Sequence, residues 1–201
     1  MTDEPAEASA RDEASARDEA SAGTGAGAAA AFAEARAAVG AATALLTEAA
    51  ARREVLAVYE PPRRRLGLPR AARMRRIGEV WRLGALLLDG EGRLYAVGRV
   101  VRAEAPARRS VTANAVAEQR AYRAAAVKGG IPAGETVNFD AVPIPLDGDP
   151  AGAAPTTDGA VALRDGRVVV RWNPSDPGAW TPLAPYLAER AELLAQPAPG
   201  T

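Results

Sequence analysis

The chain has 201 residues, 25 basic and 25 acidic, and no cysteine or histidine; 48% of it is hydrophobic but only 4% is aromatic. That length is enough for one domain with a core, although much of the apolar share is alanine, which buries little area per residue. The missing residue types exclude disulfides, thiolate nucleophiles, the usual Cys/His zinc sites and the commonest general base near neutral pH.

The charge is unevenly spread. Residues 1–50 hold three basic and nine acidic side chains (net −6), residues 51–128 hold 18 and seven (net +11), and residues 129–201 hold four and nine (net −5). A basic centre between acidic ends reads either as internal neutralisation or as an anion-binding surface. Arginine supplies nearly all of the positive charge, since Lys128 is the one lysine.

Residues 7–22 repeat EASARD, and no large apolar side chain lies between Met1 and Phe32. Such a segment cannot bury enough surface to offset its ordering entropy, which predicts a disordered low-complexity tail over 1–27. From about 28 to 51, Phe32, Ala35, Val39, Ala42 and Leu46 fall at spacings of three and four, the stripe of an amphipathic helix. The longest apolar run, AAVGAATALL, falls well short of a membrane span of about 20 residues. Val55–Tyr59 reads as a short strand or as the last turn of that helix.

Next comes YEPPRRRLGLPRAARMRRIGEVWRLG, eight arginines within residues 59–84. Pro61 and Pro62 stiffen the adjoining residues into an extended form, so Arg63, Arg64 and Arg65 point to alternating sides. Arg70, Arg73 and Arg76 would share a face if Pro69 opened a helical turn.

EVWRLGALLLDGEGRLYAVGRVVRAE holds two β-rich runs around DGEG, predicting a hairpin with strands near 79–88 and 93–102 that is apolar on both faces. Asn114–Lys128 reads as a helix stopped by Gly129-Gly130, with Ala117, Ala121, Ala124 and Ala125 as its packing face. ETVNFDAVPIPL alternates Val137, Phe139 and Ala141 and is expected at a sheet edge, because Pro143 and Pro145 cannot donate to a ladder. Residues 147–158 form a loop. AVAL-RDGR-VVVRW makes a second hairpin, and a final helix capped by Thr181 with Pro182 at its first position carries Leu183, Leu187, Ala191 and Leu194. Hairpins with helices before, between and after them give an α+β class: a mostly antiparallel sheet with three flanking helices in a single domain over 28–196, then a frayed tail at 197–201.

Catalytic signatures are absent from the sequence. There is no G-x-x-x-x-G-K-[ST], no strand-borne G-x-G-x-x-G, no G-x-S-x-G and no S-x-x-K. Lys128 reads as a cation placed on a helix C-terminus by the dipole. Asp140 and Glu135 read as outward residues of an edge strand, and Trp172 and Trp180 as cover over the rim of a small core.

At YEPPRRRLGLPRAARM, GEVWRLGALLLDGEGRLYAVG, AYRAAAVKGG and GETVNFDAVPIPLD the sequence resembles a family of small actinobacterial proteins that often carry the label glutaminase. The resemblance runs from about residue 53 to 194. It implies a folded bacterial protein and, through the label, amide hydrolysis; it supplies no catalytic residues. Serine-dependent glutaminases have an S-x-x-K motif and amidotransferase-type ones a cysteine nucleophile, and this chain has neither.

The expectation is therefore a non-catalytic cytoplasmic domain that binds a partner protein or an anionic ligand through Arg63, Arg64, Arg65, Arg70, Arg73 and Arg76, with no cofactor, metal or membrane. Nucleic acid is a partner with little aromatic support, since only Tyr59 and Trp81 lie near the arginines. The alternative is an enzyme, either the amide hydrolase of the family label or another carboxylate-based activity, which needs a pocket where Asp140, Glu135, Glu79 or Tyr59 converge. A third reading has the arginines only bracing the fold against its own acidic ends.

Overall fold

The computed structural model describes residues 5–65, 68–105, 114–146 and 159–196, with side chains from Gly25 onward except those of Arg65, Asn114 and Ala115. It is α+β, as the sequence predicts. Helix α1 spans Pro5–Glu48, α2 Asn114–Lys128 and α3 Leu183–Ala195. The strands are β1 (Glu54–Glu60), β2 (Arg63–Arg65), β3 (Leu68–Arg70), β4 (Arg73–Leu83), β5 (Leu86–Asp89), β6 (Leu94–Ala96), β7 (Arg99–Arg102), β8 (Thr136–Phe139), β9 (Val142–Ile144), β10 (Val161–Arg164), β11 (Arg167–Arg171) and β12 (Trp180–Pro182). Backbone contacts gather into two compact units: 39–144 with 187–201, and 1–38 with 145–186.

The larger unit holds a seven-stranded sheet in the order β7-β8-β1-β4-β5-β6-β9, antiparallel except where β1 meets β8. The registers show that this sheet closes. Leu94 pairs with Ile144 and Ala96 with Val142, then Arg99 with Phe139 and Arg102 with Thr136. Each step forward on one side is one step back on the other, so β6–β7 and β8–β9 are two strands, each broken for two residues. With β1, β4 and β5 they form a five-stranded barrel. Gly98 lies at the break, where a Cβ would stand 2.2 Å from the Asp140 carbonyl oxygen. Asp140 itself takes a positive φ of 54°, a conformation that aspartate tolerates better than most residues.

One face of the barrel wall packs Leu56, Val80 and Leu87, with Tyr95, Val97 and Ala141 beside them. The other face carries Val55, Ala57, Met74, Val137 and Phe139 against Ala125 and Ala126 of α2. This corrects the expected helix face: Ala117 and Ala121 are exposed, and Ala125 and Ala126 do the packing. Close approach is set by Gly129, whose Cβ would lie 1.7 Å from the Met74 carbonyl oxygen. The glycine pair therefore ends the helix and also seats it.

Two strand expectations change. Residues 79–88 are not one strand, because Gly84 takes a φ of 63° and the chain turns back, pairing Leu83 with Leu86 and Trp81 with Leu88. Glycine at the first central position of a two-residue loop is the II′ hairpin pattern, which the uninterrupted apolar run conceals in the sequence. β5 is buried along its whole length, so coverage on both faces is borne out. β8 is not at an edge; it lies between β7 and β1, and of this segment it is β9, with Pro143, that stands at an end of the sheet order.

The smaller unit contains the antiparallel sheet β10-β11-β12. Its expected hairpin turn is Asp165-Gly166, both at positive φ (48° and 69°), the I′ pattern. α3 begins at Leu183, and Thr181 and Pro182 belong to β12 rather than to a helix cap. Leu183, Leu187 and Ala191 are buried as expected.

In α1 the whole expected stripe, Phe32, Ala35, Val39, Ala42 and Leu46, is buried. The side chains of residues 5–24, most of the expected tail, lie outside those described, as do the loop 147–158 and residues 197–201. Contrary to the sequence reading, Gly25–Glu48 is long and apolar enough by length and composition to cross a membrane. Alanine carries that hydropathy, and the buried stripe follows the pattern of a core helix.

Candidate functional site

The β1–β4 ladder ends at Glu60 opposite Arg73. Beyond it, Arg63 pairs with Arg70, Arg64 with Pro69 and Arg65 with Leu68. The offset is the same as in β1–β4, so β2–β3 is the outward continuation of that hairpin. Pro61 and Pro62 have no N–H to give, which is why the ladder lapses there. The described side chains of 61–64 and 68–71 are all exposed, and Leu68 is 72% exposed. The result is a two-stranded arm lying beyond the barrel ladder. This corrects the helical turn expected from Pro69: Arg70 is in β3, while Arg73 and Arg76 are in β4.

The six predicted arginines divide into two groups. At the base of the arm, Arg73 Nε donates to Glu60 Oε2 at 2.7 Å, Arg75 Nε donates to Glu60 Oε1 at 3.2 Å, and Arg63 Nη2 lies 3.8 Å from Glu60 Oε2. The hydrogen bond from Arg73 is the main cause of a Glu60 carboxyl held below its ordinary range. Arg76 is tied to Glu79, which also meets Arg53 at 3.8 Å. Arg63 and Arg70 stand directly across from each other, an arrangement that costs energy for like charges. Arg64 projects from the opposite face of the ribbon, and Arg65 ends β2. Over 60–75, six arginines face one glutamate, leaving five positive charges. Arg75 belongs to this group although sequence reasoning did not single it out; only the strand register places it beside Glu60.

A second polar site borders the barrel. Asp89 is buried and accepts four hydrogen bonds: to Oδ1 from the N–H groups of Glu91 and Arg93 (both 2.9 Å), and to Oδ2 from Arg93 Nε (2.7 Å) and the Tyr95 hydroxyl (3.1 Å). Burial alone would raise its pKa, but these bonds outweigh it and hold the carboxyl below the ordinary range. A cleft of about 540 Å³ opens beside it, over Leu56, Gly78 and Tyr95 and among the guanidinium groups of Arg53, Arg76 and Arg93. A carboxylate with every lone pair engaged braces the DGEG turn and is a poor base.

Glu54, Arg82 and the fully buried Asn138 form a closed polar triad: Arg82 Nε donates to Glu54 Oε2 (3.1 Å), Asn138 Nδ2 donates to the same oxygen (2.8 Å), and Arg82 Nη2 donates to Asn138 Oδ1. On the surface of α2, the Tyr122 hydroxyl donates to Glu118 at 2.7 Å and Arg99 bridges Glu118 and Asp140.

The groups a hydrolase would need are held by separate partners. Glu79 is ion-paired at the cleft, Asp140 sits by Arg99, and Tyr59 stacks edge-on against Tyr122 at 4.9 Å. Glu135 is exposed at the start of β8, with its carbonyl accepting the Ala103 N–H. Lys128 is exposed in the last turn of α2, as expected, and Trp180 lies under the guanidinium of Arg164 at 3.9 Å. Among the described residues no group of three or more carboxylates is placed to hold a metal ion.

No protein family, curated protein or solved structure matches the chain.

Proposed function

We propose that this chain is a cytoplasmic, non-catalytic binding domain whose arginine arm takes an anionic ligand or partner. The observation that carries this reading is the surplus of guanidinium groups at the arm. Glu60 is shared by Arg63, Arg73 and Arg75, and Arg63 faces Arg70 with no acidic neighbour on the ribbon. An incoming anion relieves that repulsion and adds charge-assisted hydrogen bonds. Within the predicted six, Arg63, Arg64, Arg65 and Arg70 bind, while Arg73 and Arg76 mainly hold Glu60 and Glu79.

The test is calorimetric titration with inorganic polyphosphate and with polyglutamate at low salt, for the intact chain and for the triple variant Arg63→Gln, Arg64→Gln, Arg70→Gln. Binding by the intact chain and its loss in the variant supports the proposal. Absence of binding to either polyanion overturns it, and so does steady ammonia release from glutamine, which would favour the hydrolase reading implied by the glutaminase-labelled family.

A further inference from the structure

The arm has a shape as well as a charge. Two paired strands lie about 4.8 Å apart, and the five residues from Pro61 to Arg65 reach about 16 Å past Glu60 at roughly 3.3 Å each. The major groove of B-form DNA is about 12 Å wide and 8.5 Å deep and admits a two-stranded ribbon. Both faces of this ribbon carry arginine, with Arg63 and Arg70 on one and Arg64 on the other. A flat acidic protein surface engages one face at a time, whereas a groove presents phosphates on both walls. The two strands are also guarded against pairing with a third: Pro61 and Pro62 precede β2 and Pro69 lies within β3, each removing a ladder donor.

Resting on the anion-binding reading above, we infer that the β2–β3 arm inserts into the major groove of duplex DNA and contacts phosphates on both walls without reading sequence. The three ribbon arginines with described side chains, Arg63, Arg64 and Arg70, set the scale. Neutralising three phosphates gives a slope of log K against log salt of about −2.7, or roughly a 40-fold loss of affinity between 50 and 200 mM salt.

The experiment is fluorescence anisotropy of a labelled mixed-sequence 24-base-pair duplex, the matching single strand, and polyglutamate as competitor. It uses the full chain and the Arg63→Gln, Arg64→Gln, Arg70→Gln variant, each first checked for unchanged thermal unfolding. A duplex preference, a slope near −2.7 and a slope shallower by about 0.9 for each arginine removed support the inference. Polyglutamate or polyphosphate binding without duplex binding overturns it and leaves the anion-binding reading standing. Equal or tighter binding of the single strand removes the groove, and an unchanged slope in the variant removes the arm. Binding of no polyanion at all overturns both readings.

Discussion

Two glycines, given the same added methyl group, should move stability in opposite directions. At Gly129 the new Cβ would sit 1.7 Å from the Met74 carbonyl oxygen, against the 3.0 Å that real Cβ atoms respect, so the end of α2 must withdraw by about 1.3 Å. That withdrawal opens a gap over Met74, Ala125 and Ala126, which share one buried cluster, and gaps of 0.5–1 Å already forfeit roughly a quarter to a half of each dispersion contact. Gly129→Ala should therefore cost about 3 kcal/mol, at the upper end of overpacking changes. Gly40 is exposed within α1 and has nothing within 4 Å of its Cβ position. Gly40→Ala should stabilise by about 1 kcal/mol through helix propensity. Urea unfolding measures both, and thermal unfolding gives a second reading. For a chain of this size the thermal midpoints should fall by about 6–12 °C for the first and rise by about 2–4 °C for the second. A Gly129→Ala protein within about 0.5 kcal/mol of the parent, the range of a neutral surface change, would refute the seating of α2 on the β4 backbone.

Three further outcomes are expected from the geometry. Gly98→Ala drives a methyl against the Asp140 carbonyl oxygen at 2.2 Å and should destabilise by about 1–3 kcal/mol in the same assay. Asp89 and Glu60 both have depressed folded pKa values, so their stabilisation is present above the unfolded carboxyl values near 4 and is lost as pH falls through the folded ones. Asp89→Asn should flatten that acid limb, as read by urea unfolding between about pH 3 and 6, and an unchanged limb counts against the Asp89 network. Raising salt from about 0.05 to 0.5 M should lower stability by less than about 1 kcal/mol, because the Arg73–Glu60 and Arg76–Glu79 pairs lie on the surface; a much larger loss would favour the bracing reading of the arginines.

The sequence was most legible where a turn is announced by residue type. Asp165-Gly166 and DGEG carry glycine beside an acid, and both mark real hairpins. The stripe of α1 was legible because its spacing repeats over several turns. Gly84-Ala85 turns just as sharply, yet it is embedded in LGALLL, where apolar side chains on both faces erase the period that marks a strand's end. The arm was hidden for the opposite reason: Pro-Pro and clustered arginine read as irregular chain, and only the register carried over from β1–β4 shows a ribbon. The basic centre was visible in composition. Which arginines are neutralised was not, because Glu60 meets Arg73 and Arg75 across 13 and 15 residues of chain. Glycines that seat one backbone on another, such as Gly98 and Gly129, look in sequence like turn and cap glycines.

The arm is proposed to bind and not to brace. The most direct test measures polyphosphate affinity and urea stability on one protein carrying Arg63→Gln, Arg64→Gln and Arg70→Gln. Affinity should fall by at least about tenfold at low salt, with stability within about 0.5 kcal/mol of the parent, the range for exposed substitutions. Unchanged affinity together with a clear loss of stability would contradict it.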